Sequence, residues 1–268
     1  MKFVAWAMVG LLSLATMAEA AVKTQTISYE SGGIPLQGFL AWDDAAQGKR
    51  PGIVVCPEWW GLNDYAKFRA RKLAELGYVA LAVDLFGNGK TTEDPNEAGK
   101  LAGALKANRT LLRQRVNAGL EQLKKNEHVD PQQTAAIGYC FGGTTAIELA
   151  RGGADIKAVV TFHAGLDSPN PADGKNIKAR ILVCHGGNDA FTSEKDFKAF
   201  ENEMRQAQVD WQINIYGGAV HSFTNPNADK HGIPGIAYNA EADRRSWRDM
   251  QNFFDDTFKG NRASATGR

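Results

Sequence analysis

Cysteine is scarce in this sequence: 268 residues carry three, Cys56, Cys140 and Cys184. Three thiols at wide spacing exclude the disulfide scaffold that small exported domains use. Excess charge of one sign is also lacking. Lys and Arg number 31 against 30 Asp and Glu, a net charge of +1, so no basic field exists to hold a nucleic-acid backbone. The longest apolar run, residues 3–17, falls short of the about 20 residues that cross a bilayer, which leaves no membrane span in the mature chain. Linkers, low-complexity blocks and internal repeats are missing as well. With 43% hydrophobic and 23% charged residues, the composition is that of a globular chain. At this length an α/β domain buries about three-quarters of its unfolded surface and needs no metal or disulfide to fold.

That apolar run has a different reading. Lys2 precedes it, and Ala18-Glu19-Ala20 follows it in the small-x-small pattern of a cleavage site. Residues 1–20 are therefore expected to be a signal peptide. Residues 21–268 are expected to be one mature domain in the periplasm or outside the cell. A free thiol in such a compartment is a liability unless it is buried or reactive.

After residue 20 short apolar runs alternate with amphipathic stretches. Residues 23–29 and 34–42 read as strands joined around Ser31-Gly32-Gly33, a hairpin signal. Buried strands are expected at 52–56, 79–83, 134–139, 156–162, 180–184 and 211–216. Helices are expected at 64–76, capped by Asn63 and ended by Gly77, then from about 95 to 125 with a break near Asn108, and at 141–151, 193–207 and 239–259. Two antiparallel strands followed by βα alternation give an α/β fold, a mostly parallel sheet with helices on both faces.

The most informative stretch is Ile137-Gly138-Tyr139-Cys140-Phe141-Gly142-Gly143. A strand runs through Gly-x-Cys-x-Gly-Gly into a helix, the arrangement of a nucleophile elbow with sulfur in place of the usual serine oxygen. Glycines at 138 and 142 let neighbouring backbone approach a sharply turned residue. The helix N-terminus favours a thiolate and supplies N–H groups to an oxyanion. No Gly-x-Ser-x-Gly occurs in the chain, so Cys140 is the candidate nucleophile. Two partners follow in the order acid, then base. Asp189, in Gly186-Gly187-Asn188-Asp189, lies past one strand end, and His221, in Ala219-Val220-His221-Ser222-Phe223, past the next. Open α/β sheets place their ligands at that edge. Glu58, flanked by Pro57 and two tryptophans at the end of a buried strand, is poorly placed for solvation and is a candidate base.

These segments resemble the dienelactone hydrolase family, cysteine-bearing members of the α/β-hydrolase fold. The likeness rests on Pro57-Glu58-Trp59-Trp60-Gly61, Asp84-Leu85-Phe86, Gly138 to Gly143 and Ala219 to Phe223, and with the Asp189 loop it spans nearly the whole mature chain. The resemblance implies that Glu58 sits beside the thiol and takes part in forming the thiolate. It also implies that the backbone N–H groups of Phe141 and Trp59 form the oxyanion hole. Family members that cleave dienelactone carry an arginine shortly after the Asp-Leu-aromatic motif and another four residues beyond the histidine. Here Gly87-Asn88-Gly89-Lys90 and Asn225 occupy those places, and neither Lys90 nor Arg109 is in register, so a general ester or lactone is the expected substrate.

Trp60, Phe86 and Phe223, together with Trp59, are expected to wall an aromatic pocket, and residues 224–238 to form its rim. His163, at a strand end on the same edge, reads as structural, and Cys56 as a core thiol next to the strand of Cys140, where a Cys56–Cys140 disulfide would silence the enzyme. No ligand spacing for zinc is present, and no cofactor or protein partner is expected: the enzyme is read as a monomer acting on a small ester or lactone. The alternative is a non-hydrolytic binding or thiol-redox protein on the same scaffold. Against it, Cys-x-x-Cys is absent and all three triad members are in place.

Overall fold

A computed structural model describes residues 21–265, with only the helix backbone described from 259 onward. The expected signal peptide, residues 1–20, lies outside the described residues. Eight strands form one sheet: β1 (Val22–Ser31), β2 (Ile34–Asp43), β3 (Arg50–Cys56), β4 (Val79–Val83), β5 (Val129–Tyr139), β6 (Ala158–Phe162), β7 (Arg180–Gly186) and β8 (Trp211–Tyr216), in the order β1-β2-β4-β3-β5-β6-β7-β8. The hairpin β1–β2 and the pair β2–β4 are antiparallel, and every later pair is parallel.

Helices cover both faces, which is why the central strands are continuous apolar runs and do not alternate with polar residues. On one face α1 (Asp64–Glu75) and α6 (Ala240–Ala265) place Leu73, Met250, Phe254 and Phe258 on Ile53, Val55, Ile137 and Val160. On the other, α2 (Pro95–Ala107), α3 (Arg109–Lys124), α4 (Phe141–Arg151) and α5 (Glu194–Gln206) place Leu105, Leu112, Val116, Ile147 and Phe200 on Val54, Ala136, Val159 and Ile181. Local capping follows the sequence. Asn63 accepts the Ala66 N–H at 3.2 Å to start α1. Asn108 ends α2 and accepts the Leu111 N–H at 3.0 Å to start α3, the expected break.

Strand β5 begins five residues earlier than expected, because Arg50 and Pro51 pair with Val129 and Asp130 before a register shift at Pro51/Gly52. No periodicity within residues 129–133 reveals this; the pairing is made by the neighbouring strand. Among the described residues no helix is long and apolar enough to cross a membrane.

Candidate active site

The chain direction of β3, β5, β6, β7 and β8 brings their C-terminal ends to one edge, and the candidate residues collect there. Cys140 follows β5 directly and serves as the N-cap of α4, with φ 53° and ψ −120°. A left-handed φ in a residue with a side chain is strained, and the packing around it explains why it persists. A Cβ on Gly138 would lie 2.0 Å from the Gly142 carbonyl oxygen, and one on Gly142 would lie 2.1 Å from the Cys56 carbonyl oxygen. The elbow therefore sits against the end of β3 with no room for a methyl group. From its far end α4 is held by Arg151, fully buried, which donates to Glu203 at 2.9 and 2.6 Å and to Glu148 at 2.9 Å.

Asp189 lies just past β7, and His221 past β8. The His221 Nδ1 donates to Asp189 Oδ2 at 2.8 Å, while the other carboxylate oxygen accepts the Phe191 N–H at 2.9 Å. This bond fixes the tautomer and leaves Nε2 for the thiol. Burial alone would lower the imidazole pKa, but the Cys140 sulfur and the Asp189 carboxylate outweigh it, and His221 is pushed up to about 10. That direction means the charged form of the imidazole is favoured between the Cys140 sulfur and the Asp189 carboxylate. The His221 backbone is anchored in turn: its N–H donates to the Gly235 carbonyl at 3.2 Å and its carbonyl accepts the Ala237 N–H at 3.1 Å. The 224–238 segment thus braces His221, but it is not the expected rim: none of its residues lines the cavity beside Cys140, and Asn225, Asn227, Lys230 and His231 line a separate cleft.

Glu58 is 1% exposed. Its carboxylate accepts from Ser222 Oγ at 3.0 Å and Asn225 Nδ2 at 2.7 Å, so its hydrogen bonds run to the His221 loop rather than to the sulfur. Burial raises its pKa above the usual carboxylate range, and the Asn225 and Ser222 bonds hold that rise back. Asn225, where dienelactone-cleaving relatives are expected to carry arginine, therefore orients the carboxylate. All three cysteines are free thiols. Cys56 is fully buried, and burial pushes its pKa up beyond any physiological range.

Cys140 and His221 open on a cavity of about 260 Å³, lined by Trp59, Phe141, Phe191, Thr144, Gly165 and the α2 residues Gly99, Ala102, Gly103 and Lys106. Trp59 and Phe141, the expected oxyanion donors, both reach it. As the first residue of α4, Phe141 has an N–H without an intrahelical acceptor. The expected aromatic wall needs correction. Phe223 is fully buried against His163 and Tyr216, because Ser222 adopts φ 56° and breaks the alternation that would send residues 221 and 223 the same way. Trp60 touches the Trp59 ring at 4.8 Å but stacks on His231 at 4.1 Å, lining a separate polar cleft of about 640 Å³ that includes neither Cys140 nor His221. Phe86 stacks behind Phe141 at 6.2 Å and is not among the lining residues.

Phe191 and Lys106 escaped the sequence reading. A signal for the second existed: Gly99, Ala102, Gly103 and Lys106 fall at i, i+3, i+4 and i+7 on one face of α2, a strip of small side chains that ends in a cation. Lys106 pairs with Asp167 at 3.1 Å, and Asp167 also pairs with Arg109 at 2.5 Å. Lys90 is taken by Glu97 at 2.7 Å and does not line the cavity, whereas Lys106 does. The Asp84 carboxylate accepts the N–H groups of Phe86, Gly87 and Gly89 at 2.8–2.9 Å, which makes the Asp-Leu-Phe segment a loop anchor.

A mixed eight-stranded sheet with a thiol on a strand-to-helix elbow, and an acid and a histidine past the next strand ends, defines an α/β-hydrolase. Comparison with known proteins narrows the class. The chain belongs to the dienelactone hydrolase family, whose sequence model matches residues 36–258, and it is a carboxylic ester or lactone hydrolase. A solved structure described as a dienelactone hydrolase-like promiscuous phosphotriesterase from metagenomic libraries is 43% identical, covers 88% of this chain and 98% of its own, and superposes with a TM-score of 0.86. A putative carboxymethylenebutenolidase of Aquifex aeolicus is 27% identical over 86% of this chain and 97% of its own. A probable 2-oxo-3-(5-oxofuran-2-ylidene)propanoate lactonase of Bradyrhizobium is 29% identical over 77% and 86%.

Proposed function

We propose that this chain is an exported hydrolase that opens small carboxylic esters or lactones through a Cys140-His221-Asp189 triad and a thioacyl-enzyme intermediate. The observation that carries the reading is the Cys140 sulfur on a strained elbow, facing an imidazole whose other nitrogen is held by Asp189 at 2.8 Å. The thiolate attacks the acyl carbon, and the N–H groups of Phe141 and Trp59 receive the oxyanion. The His221 imidazolium gives its proton to the departing alkoxide. Now neutral, it takes a proton from the water that cleaves the thioester, and the acid leaves. Glu58 enters through its grip on Ser222 and Asn225, which steadies the loop that carries His221.

Export rests on the charge, apolar run and Ala18-Glu19-Ala20 of the first twenty residues. One measurement tests export and chemistry together. The intact mass of protein recovered from outside the cytoplasm should correspond to a chain starting at Ala21. After a rapid acid quench with p-nitrophenyl acetate it should rise by one acetyl group, mapped to the peptide containing Cys140. An acetyl on another residue would refute the assigned nucleophile, and an uncleaved N-terminus would refute the signal.

A cavity of about 260 Å³ accommodates a short acyl group, and Lys106 gives it one cation. Lys106→Met should raise KM for an anionic substrate such as p-nitrophenyl hemisuccinate about threefold to fivefold and leave p-nitrophenyl acetate unchanged, the size expected for a partly exposed charge pair. Equal effects on both esters would remove Lys106 from substrate selection.

A further inference from the structure

The triad leaves one fully buried imidazole in the site without a task. His163 directly follows β6 at the active edge, is 0% exposed, and holds φ 43°, a left-handed backbone that side-chain-bearing residues adopt only under constraint. Both of its ring nitrogens are engaged. Nδ1 accepts the backbone N–H of Cys140 at 3.1 Å, a donor it shares with the Phe162 carbonyl at 3.0 Å, and Nε2 lies 2.7 Å from Thr224 Oγ1. The proton inventory follows from the first bond. An amide can only donate, so Nδ1 is unprotonated, the ring is neutral, and Nε2–H donates to the threonine hydroxyl. Burial, with the His221 and Arg69 charges nearby, holds the His163 pKa well below the ordinary histidine value, in keeping with that assignment.

The two ends of this bridge belong to different catalytic elements. Cys140 is the nucleophile, and Thr224 stands three residues beyond His221 on the same loop. Their parent strands, β5 and β8, are three places apart in the sheet, about 14 Å at the usual strand spacing, so no local geometry sets their separation. Thr224 is itself anchored. Its hydroxyl shares a 2.7 Å hydrogen bond with the Tyr65 hydroxyl, and its carbonyl accepts from Arg69 at 2.6 Å. Arg69 also donates to Tyr65 at 3.1 Å and pairs with Asp243 at 2.5 Å. The His163 ring meets His221 edge-on at 5.2 Å and Phe223 at 5.3 Å.

We infer that His163 is a positioning residue of the triad, a neutral strut that ties the nucleophile's own amide to the histidine loop and thereby sets the distance between the Cys140 sulfur and His221. The inference rests on the reading of Cys140 as nucleophile and adds a residue that never touches substrate. It explains why a strained, fully buried imidazole stands where an apolar side chain would fill the space.

Two substitutions cut the same bond from opposite ends. Thr224→Val removes the hydroxyl at nearly constant volume. His163→Asn tolerates the left-handed backbone, keeps an acceptor for the Cys140 N–H and loses the reach to Thr224. The measurements are kcat and KM for p-nitrophenyl acetate, the rate of Cys140 alkylation by iodoacetamide, and Tm. Cys56 and Cys184, both 0% exposed, do not compete for the reagent. Each variant should lose about tenfold to a hundredfold in kcat with KM within about twofold, the scale of a small misplacement of reacting groups. The alkylation rate should fall in parallel, and the double variant should be no worse than the poorer single, since both act on one link.

Variants that lower Tm while kcat and alkylation of the folded protein stay at the wild-type level would make His163 merely structural and overturn the inference. So would losses that multiply in the double variant. Failure of the underlying mechanism shows separately: wild-type protein that keeps its activity after Cys140 is alkylated would reject the nucleophile, whatever the variants do.

Discussion

Cys140→Ala is expected to leave the chain folded and to abolish ester hydrolysis, with kcat/KM down by about four orders of magnitude or more, as for loss of a nucleophile in comparable triads. The chain contains no Gly-x-Ser-x-Gly to take over. The other two thiols, Cys56 and Cys184, are fully buried with pKa values raised by that burial, so neither replaces a reactive thiolate. Stability should barely change. Alanine at φ 53° carries the same backbone strain as cysteine, and the lost sulfur faced a cavity, so the expected change is within about 1 kcal/mol. The check is steady-state hydrolysis of p-nitrophenyl acetate alongside a thermal melt. A folded variant that still turns over at the wild-type rate would end the thiol mechanism. Wild-type activity that appears only with reductant would instead point to a Cys56–Cys140 bond formed in solution.

Gly142→Ala should be severely damaging for a single added methyl group. Its Cβ would stand 2.1 Å from the Cys56 carbonyl oxygen and 2.4 Å from the Pro57 carbonyl oxygen. Both are backbone atoms of the segment that continues into Glu58 and Trp59, so no side chain can swing aside. Relief requires α4 to back away from the end of β3, and that movement separates the Phe141 and Trp59 amides. A loss of about 3 kcal/mol in stability is expected for overpacking against fixed backbone, with kcat lower by at least about a hundredfold in whatever folds. Gly103→Ala is the matched control. Gly103 lines the same cavity within α2, yet a Cβ there meets nothing within 4 Å. Alanine should therefore stabilise the helix by up to about 1 kcal/mol. Chemical denaturation of the pair separates the two cases, and equal stabilities would refute the account of the elbow.

Much of this molecule was legible in its sequence. Apolar runs without alternation marked strands covered on both faces, and Asn63 and Asn108 marked helix boundaries through capping chemistry. The glycines around Cys140 marked the elbow, since backbone that must approach within about 4 Å of other backbone admits no larger residue. Asp189 and His221 were legible because chain order in a parallel sheet places successive loops on one edge. These are local or order-dependent properties, and a linear sequence carries them directly.

Tertiary structure decided the rest. Glu58 meets Ser222 and Asn225 across more than 160 positions of chain, and His163 meets Thr224 across 61. Such contacts depend on where folded loops come to lie, and no spacing encodes them. The pocket wall was misassigned for the same reason. A left-handed turn at Ser222 sends Phe223 inward, and Trp60, though it touches Trp59, lines a different cleft, whereas Phe191 enters from the Asp189 loop and Lys106 from α2. The residue types that carry the chemistry were fixed by the order of amino acids. Their distances, their protonation and the walls around them were fixed by packing, because those depend on atoms that the chain brings together only when it folds.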